Sequence, residues 1–231
     1  MSYDRVAKKY EKYDDITEWE LGYNIIDKLI GSVKNNLVLD YGCGNAKFSR
    51  FLRDRGAKCI AVDPSKKMID IAKIYNNRNI ELRLIRNSNL YFVKSNSIDV
   101  AVVNYVICTI PEKNEIIKIF KEIYRCLRKN SSLIILEPNP KTIGGNWVTF
   151  KSEKPIRKGG EQYIVYLKKN SKEFIKLTDY YRSFEDYMDM LKAVGFRKII
   201  SQQPVIDKNN KKAKWIDEYS KAPNLIIKAI K

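Results

Sequence analysis

The sequence has no histidine, and its four cysteines stand apart at positions 43, 59, 108 and 126. Without histidine or a CxxC pair, neither the usual Cys/His zinc site nor a disulfide framework is expected. The missing imidazole also excludes Ser-His-Asp and Cys-His hydrolysis. No apolar run approaches the roughly 20 residues of a membrane span, and the N-terminus lacks a signal-peptide core. We therefore expect a protein of the reducing cytoplasm with no metal and no membrane partner.

The charge balance is strongly basic, with 44 Lys and Arg against 27 Asp and Glu in 231 residues. Residues 141–214 carry 17 basic and 8 acidic side chains, so the excess is concentrated there. Such a surface would suit a nucleic-acid partner. Lysine, asparagine, isoleucine and tyrosine are abundant together, however, which an AT-rich genome produces without selection for a charged partner. Both interpretations stay open at this point.

Short apolar runs alternate with amphipathic segments along the first 140 residues. The runs begin near Leu37, Cys59, Ile80, Ile98 and Leu133, and helical periodicity lies between most of them. Strands alternating with helices predict right-handed βαβ units and a mostly parallel sheet. An α/β fold is therefore expected, preceded by a helical segment over residues 3–30.

Residues 141–182 break this alternation. Two glycine pairs bracket segments that are typical of antiparallel hairpin strands, which predicts an inserted β-rich cap after the fifth strand. A helix from Ser183 and two closing strands follow. We expect a single domain over residues 1–231, with residues 1–30 as a helical lid and the cap within the domain.

The predicted carboxyl ends of the strands carry the residues that point to a ligand. Asp40 and a Gly-Cys-Gly loop follow the first strand, and Asp63 ends the second. Glycines let the backbone approach a ligand, and a carboxylate can accept both hydroxyls of a ribose. The third glycine of the dinucleotide fingerprint and the Walker lysine are missing. An acid before the glycines suits an ammonium group rather than a pyrophosphate.

These motifs, in this order and spacing, resemble the class I methyltransferases that use S-adenosylmethionine. The resemblance lies in residues 38–44, 61–65, 97–104 and 134–138. It implies a Rossmann-like seven-stranded, mostly parallel sheet with an antiparallel last strand and helices on both faces. Residues 159–163 and 179–187 are more weakly similar to toxoflavin-synthase-like small-molecule methyltransferases.

The resemblance implies a set of cofactor contacts. Asp40 would hold the methionine amino group, and Asp63 would bind the ribose diol. Asn87 stands where the family often has an acid, and its carbonyl oxygen could accept from the adenine amino group. The remaining candidates for the cofactor, including one tyrosine of the lid, are Tyr10, Gly42, Cys43, Gly44, Pro64, Ser65, Met68, Ser88, Asn104 and Tyr105.

Aromatic side chains of the lid and the cap are candidates for an acceptor pocket, although simple packing is an equally open interpretation. They are Tyr13, Trp19, Trp147, Tyr166 and Tyr180. Without histidine, a general base would be Asp, Glu, Tyr or Lys. Glu137 after the fifth strand and Tyr181 at the cap boundary are the candidates for catalysis.

The function predicted first is methyl transfer from S-adenosylmethionine to an O, N or C atom of a small molecule, with S-adenosylhomocysteine as product. Holding the acceptor in line with the methyl group can supply much of the acceleration. Two alternatives remain. One is an RNA or other nucleic-acid methyltransferase that uses the basic residues of 141–214, and the other is a cofactor-binding protein without catalysis.

Overall fold

The computed structural model describes residues 3–75, 77–155 and 158–231. Those residues form ten strands in two sheets. The strands are β1 (Leu37–Tyr41), β2 (Lys58–Asp63), β3 (Ile80–Leu84), β4 (Ile98–Asn104), β5 (Leu127–Pro138), β6 (Phe150–Ser152), β7 (Gln162–Lys169), β8 (Lys172–Tyr180), β9 (Arg197–Gln202) and β10 (Asn224–Ile230).

The central sheet has seven strands in the order β3-β2-β1-β4-β5-β10-β9. Strands β1 to β5 pair in parallel, and β10 runs antiparallel to both of its neighbours. The predicted mostly parallel sheet with an antiparallel last strand is therefore confirmed. The inner strands are apolar on both faces because helices cover both, and Val38 and Leu39 of β1 are fully buried.

Three helices precede β1, and the others lie between strands as the periodicity predicts. The helices are α1 (Ala7–Tyr10), α2 (Ile16–Glu18), α3 (Asn24–Ile30), α4 (Lys47–Asp54), α5 (Lys66–Ile74), α6 (Lys113–Cys126) and α7 (Phe184–Val194), with a π-helical turn over Trp19–Tyr23. Apolar residues of α6 and α7 pack on one face of the sheet, and those of α3 and α4 pack on the other. Among the described helices, none is long and apolar enough to cross a membrane.

The N-terminal segment is not the continuous helix that the periodicity of residues 3–30 predicts. It is interrupted between α1 and α2, where Asp14 turns toward the cap. The backbone N–H of Asp14 donates to the carbonyl of Lys168 at 3.0 Å, and its carboxylate accepts the N–H of Asn170 at 2.6 Å. These bonds to the β7–β8 turn replace the helical bonds that would continue α1.

Strands β6, β7 and β8 form a separate antiparallel sheet, which confirms the predicted β-rich insertion. Its inner face is an apolar cluster that includes Trp147, Phe150 and Leu177. Tyr10 and Tyr13 of the N-terminal segment pack against this cluster. The N-terminal segment therefore contacts the cap and, through Ala7 against Met68, also the body of the fold.

Candidate functional site

A cavity of about 340 Å³, here called the main cavity, lies at the carboxyl ends of β1, β2 and β4. This is the edge of a parallel sheet where ligands bind. The cavity brings together nine of the thirteen residues that the sequence suggested for the cofactor, along with Val106 and Thr109. The nine are Tyr10, Gly42, Gly44, Asp63, Pro64, Ser65, Met68, Asn104 and Tyr105.

Asp63 is held in place by the backbone on either side of it. One carboxylate oxygen accepts the N–H of Gly44 at 2.9 Å, and the other accepts the N–H of Ser65 at 2.7 Å. Burial raises the pKa of Asp63 to about 6, which leaves it ionised at neutral pH. An ionised carboxylate has about four lone-pair directions, so each oxygen keeps a free one. The arrangement suits a pair of vicinal hydroxyls.

The glycine loop after β1 leaves its backbone open to a ligand. Gly42 has a φ of 76°, and a Cβ there would lie 2.2 Å from a methyl carbon of Val106. Gly44 has a φ of 53°, but a Cβ there would meet no atom within 4 Å. Packing against Val106 therefore requires glycine at position 42, whereas Gly44 faces open space in the cavity wall.

A pocket of about 70 Å³ adjoins the main cavity and is lined by Asp40, Cys43 and Asn104 among others. Asp40 accepts a hydrogen bond from the Ser49 hydroxyl, and burial raises the pKa of Asp40 to about 6. Both polar atoms of the Asn104 side-chain amide are buried and have no partner within residues 3–75, 77–155 and 158–231. A buried amide with no partner costs free energy unless a ligand satisfies it.

These groups fit the amino-acid end of S-adenosylmethionine. Asp40 would supply an anion for an ammonium group, and Asn104 would supply a donor and an acceptor that have no partner among the described residues. Asp63 supplies the acceptors for a ribose in the adjoining main cavity. Burial keeps the pKa of the Cys43 thiol well above its ordinary value, so Cys43 is a small neutral wall residue rather than a nucleophile.

A third pocket, here called the inner pocket, has a volume of about 40 Å³ and lies between the N-terminal segment, β4 and the cap. Tyr10 and Tyr105 line both this pocket and the main cavity. Tyr105 has a φ of 54°, an unfavourable conformation for an aromatic residue, at this boundary. The inner pocket also contains Tyr13, the one suggested acceptor residue that the structure brings to it.

Two buried carboxyl groups of the inner pocket, Glu18 and Asp179, were not among the candidates from the sequence. Burial raises the pKa of Glu18 to about 8 and that of Asp179 to about 7. A signal for Asp179 was present, because inward positions of β8 alternate and the preceding ones are the apolar Ile175 and Leu177. Because burial of a charged group costs free energy, an acid on the apolar face of a strand indicates a functional role.

Asn87 and Ser88 are not among the residues that line the three pockets, and their suggested contact with adenine stays a prediction. Both have a left-handed backbone, with φ values of 53° and 57°. The Asn87 side chain is exposed, and the Ser88 hydroxyl donates to Glu115 of α6. This turn, which follows β3, therefore contacts α6 through Ser88.

Four aromatic residues suggested for the acceptor pocket also lie elsewhere. Trp19 packs against Tyr23 and Phe51, and Trp147 is buried in the cap core. Because side chains alternate along a strand, Tyr166 and Tyr180 lie opposite the inward-facing residues that line the inner pocket. The hydroxyl of Tyr166 donates to Glu153 at 2.9 Å on the outer side.

The two residues suggested for catalysis have positions that differ from the expectation. Glu137 is fully buried and accepts the backbone N–H groups of Val106, Ile107 and Cys108 at 3.1, 2.9 and 2.8 Å. It therefore fixes the loop after β4, and it does not line the three pockets. Tyr181 is buried in the apolar core of the cap. Packing in the cap, rather than access to a ligand, determines its position.

Comparison with known proteins agrees with this geometry. Residues 39–135 match a family described as a methyltransferase domain. Over 203 residues, which are 84% of this chain and 85% of the relative, the chain is 26% identical to N-demethylindolmycin N-methyltransferase of Streptomyces griseus.

Two solved structures share the fold. An S-adenosylmethionine-dependent methyltransferase from Mesorhizobium loti has a TM-score of 0.69 at 16% identity, covering 93% of this chain and 98% of that one. The 1,6-didemethyltoxoflavin-N1-methyltransferase of Burkholderia thailandensis, solved with 1,6-didemethyltoxoflavin and S-adenosylhomocysteine, has a TM-score of 0.61 at 13% identity. That alignment covers 99% of this chain and 87% of the other.

The domain match, the curated relative and the shared fold together support one class of protein, the S-adenosylmethionine-dependent methyltransferases. This class implies S-adenosylmethionine as the methyl donor and S-adenosylhomocysteine as the product.

Proposed function

We propose that the enzyme methylates a small organic molecule whose reacting end enters the inner pocket. The observation that carries this proposal is the shared wall of Tyr10 and Tyr105 between the inner pocket and the main cavity. The inner pocket is covered by the cap and by the N-terminal segment. A space of about 40 Å³ between the N-terminal segment and the cap suits the end of a small acceptor rather than a polymer.

The bound S-adenosylmethionine supplies an electrophilic methyl group on a sulfonium. The protein's contribution is to bind, orient and exclude water. Asp63, Asp40 and Asn104 hold the cofactor end, while Tyr10 and Tyr105, which line both spaces, flank the line along which the acceptor approaches the methyl group. Fixing two reactants in such a geometry removes much of the entropic cost of a bimolecular step.

We infer that residues 1–30 act as the lid of this site. Among its contacts with the body of the fold, three polar ones lie in the described part before α2. The Ser65 hydroxyl donates to Asp4, the Tyr75 hydroxyl donates to Glu11, and Lys47 forms an ion pair with Asp15. All three are exposed or half-buried polar contacts, which break at low cost. The part of the segment before α2 is held in this way and can open for cofactor exchange, whereas Ile26 of α3 stays packed in the core.

Two of the 17 basic residues of 141–214 are used inside the fold, which reduces the basic surface available to RNA. The Lys168 ammonium is buried and donates to the Asn146 side chain and the Trp147 carbonyl. The Arg182 guanidinium donates to the carbonyls of Ile110 and Pro111. Side chains committed to internal bonds are not available for phosphates.

The proposal is tested by following a tritiated methyl group from S-adenosylmethionine. The enzyme is incubated with the dialysable small-molecule fraction of a bacterial extract and, separately, with total RNA. We expect label in the dialysable fraction and none from Asp63→Ala. Label in RNA would instead support a nucleic-acid methyltransferase. Cofactor binding without transfer to either would indicate a protein that has lost catalysis.

A further inference from the structure

The inner pocket carries a chemical feature that binding of the cofactor does not explain. Two carboxyl groups, Glu18 from the lid and Asp179 from the cap, line the same small space from opposite elements. Residues with 4% and 6% exposure would be expected to be apolar or ion-paired. Burial of these two acids therefore requires a group that offsets the free-energy cost of removing them from water.

Few hydrogen-bond donors of the protein offset the burial of the Asp179 carboxyl group. Its hydrogen-bond donor within the described residues is the thiol of Cys108, a weak donor that lowers the pKa of Asp179 less than burial raises it. The side chain lines the pocket and lies on the inward face of β8. A carboxyl group that is more than nine-tenths buried therefore faces the cavity with most of its acceptor capacity unused.

Glu18 is compensated in part. The Thr149 hydroxyl donates to its two carboxylate oxygens at 3.1 and 3.4 Å. Lys47 lowers the pKa of Glu18, but its ammonium is paired with Asp15 at the outer side. Among the described residues, those that line the inner pocket include no lysine or arginine. The positive partner of the acids is therefore not a side chain of the pocket wall.

The rest of the wall consists of apolar and aromatic side chains. The rings of Tyr10 and Tyr13 lie 4.9 Å apart, and Phe150 and Leu177 complete the cap side. Aromatic faces attract organic cations, and a neighbouring carboxylate adds to that attraction. Two acids within an aromatic wall form the same combination of groups that binds ammonium compounds.

Resting on the proposed small-molecule function, we infer that the acceptor is an alkyl or arylalkyl amine, whose N–H groups are bound by Asp179 and Glu18. One of these carboxylates takes a proton from the bound ammonium, and the nitrogen lone pair then forms the C–N bond as the C–S bond to the methyl group breaks. Asp179 is then the specificity-determining residue that distinguishes an amine from an alcohol of the same shape. Binding of the amine satisfies carboxyl groups that an alcohol, with one donor and no positive charge, leaves uncompensated.

The test uses two pairs of probes that differ only in the polar group. Benzylamine and phenethylamine are titrated calorimetrically, at pH 8, into the enzyme saturated with S-adenosylhomocysteine, and benzyl alcohol and phenethyl alcohol are their matched controls. We expect each amine to bind about tenfold or more tightly than its alcohol. Asp179→Asn should remove this preference, and Glu18→Gln should reduce it.

The control variant is Glu173→Gln, which alters an exposed acid on the same strand that pairs with Lys151. It should keep the preference for amines. S-adenosylhomocysteine binding by each variant is measured first, because it shows that the variant is folded and that its cofactor site is intact. If Asp179→Asn does not fold, two measurements still test the inference. They are the ratio of amine affinity to alcohol affinity in the wild type and the change in that ratio in Glu18→Gln.

Equal affinity for amine and alcohol in the wild type overturns the inference, and so does the absence of any amine binding. A preference that survives in both Asp179→Asn and Glu18→Gln overturns it as well. In each of these cases, intact S-adenosylhomocysteine binding leaves the methyltransferase function standing. Failure of the wild type to bind S-adenosylhomocysteine would instead count against the proposed function itself.

Discussion

The carboxylate of Asp63 accepts the backbone N–H of Gly44 at 2.9 Å, and this bond joins the end of β2 to the glycine loop after β1. The same bond orients the carboxylate toward the main cavity that Gly44 lines. The Asp63 carboxylate and the glycine loop therefore have a fixed position relative to each other. A ligand that engages one of them must lie against the other.

Asn104→Ala should have opposite effects on stability and on binding. Both polar atoms of its amide are buried and unpaired, so removing them should leave the free energy of unfolding unchanged or raise it by about 1 kcal/mol. Affinity for S-adenosylhomocysteine should fall about tenfold, because the ligand loses those partners. Urea unfolding and calorimetry measure the two effects. The exposed Asn114→Ala in α6 is the control, and a marked loss of stability in Asn104→Ala would contradict the account.

Alanine at the two glycines of the loop should separate folding from binding. Gly42→Ala combines a left-handed backbone with a 2.2 Å clash against Val106, so we expect a loss of about 3 kcal/mol in the free energy of unfolding. Gly44→Ala meets no atom within 4 Å and should cost only about 1 kcal/mol. Its added methyl group enters the cavity wall and should weaken S-adenosylhomocysteine binding. Equal stability of the two variants would show that the loop packs differently.

Asp179→Asn should stabilise the protein without ligand at high pH. Burial raises the pKa of Asp179 from 3.8 to about 7, so the folded state holds this proton more tightly than the unfolded state does. Stability is therefore lost as the pH rises from about 4 to 7, by up to about 4 kcal/mol. The variant should be more stable than the wild type at pH 8 and similar at pH 4 in urea unfolding. Glu173→Gln should show no such pH dependence, and a less stable Asp179→Asn at pH 8 would refute the assignment.

Glu137→Gln tests whether this residue supports the loop after β4 or accepts a proton. The amide would place an NH₂ group against backbone donors, so we expect a loss of about 2 kcal/mol in stability. Because Val106 belongs to the cavity wall, the affinity for S-adenosylhomocysteine should also fall. The shape of the pH profile of methyl transfer should stay the same. Loss of one limb of that pH profile in Glu137→Gln would instead indicate that Glu137 takes part in catalysis.

The parallel sheet and the residues at its carboxyl edge could be predicted from local sequence. Asp40 and Asp63 follow buried apolar runs, and the position of a strand end depends on the few residues around it. The antiparallel cap was equally predictable, because its glycine pairs and alternating segments are local signals.

The inner pocket could not be predicted, because it is formed by elements that are distant in the sequence. Glu18 meets Thr149 across 131 positions, and nothing local to either residue indicates that contact. Glu137 illustrates the reverse error. An acid at the end of a central strand resembles a catalytic group, but only the three-dimensional structure reveals three backbone N–H groups directed at it.

The measurement that tests the central claim most directly is a calorimetric titration of S-adenosylhomocysteine into the wild type, Asp63→Ala and Asp70→Ala. The last of these removes an exposed acid of α5 that pairs with Lys66 and serves as the control. We predict micromolar binding by the wild type and by Asp70→Ala, and affinity about a hundredfold weaker in Asp63→Ala, because two hydrogen bonds to a charged acceptor are lost. Absence of binding by the wild type, or full affinity in Asp63→Ala, would contradict the assignment of the main cavity to the cofactor.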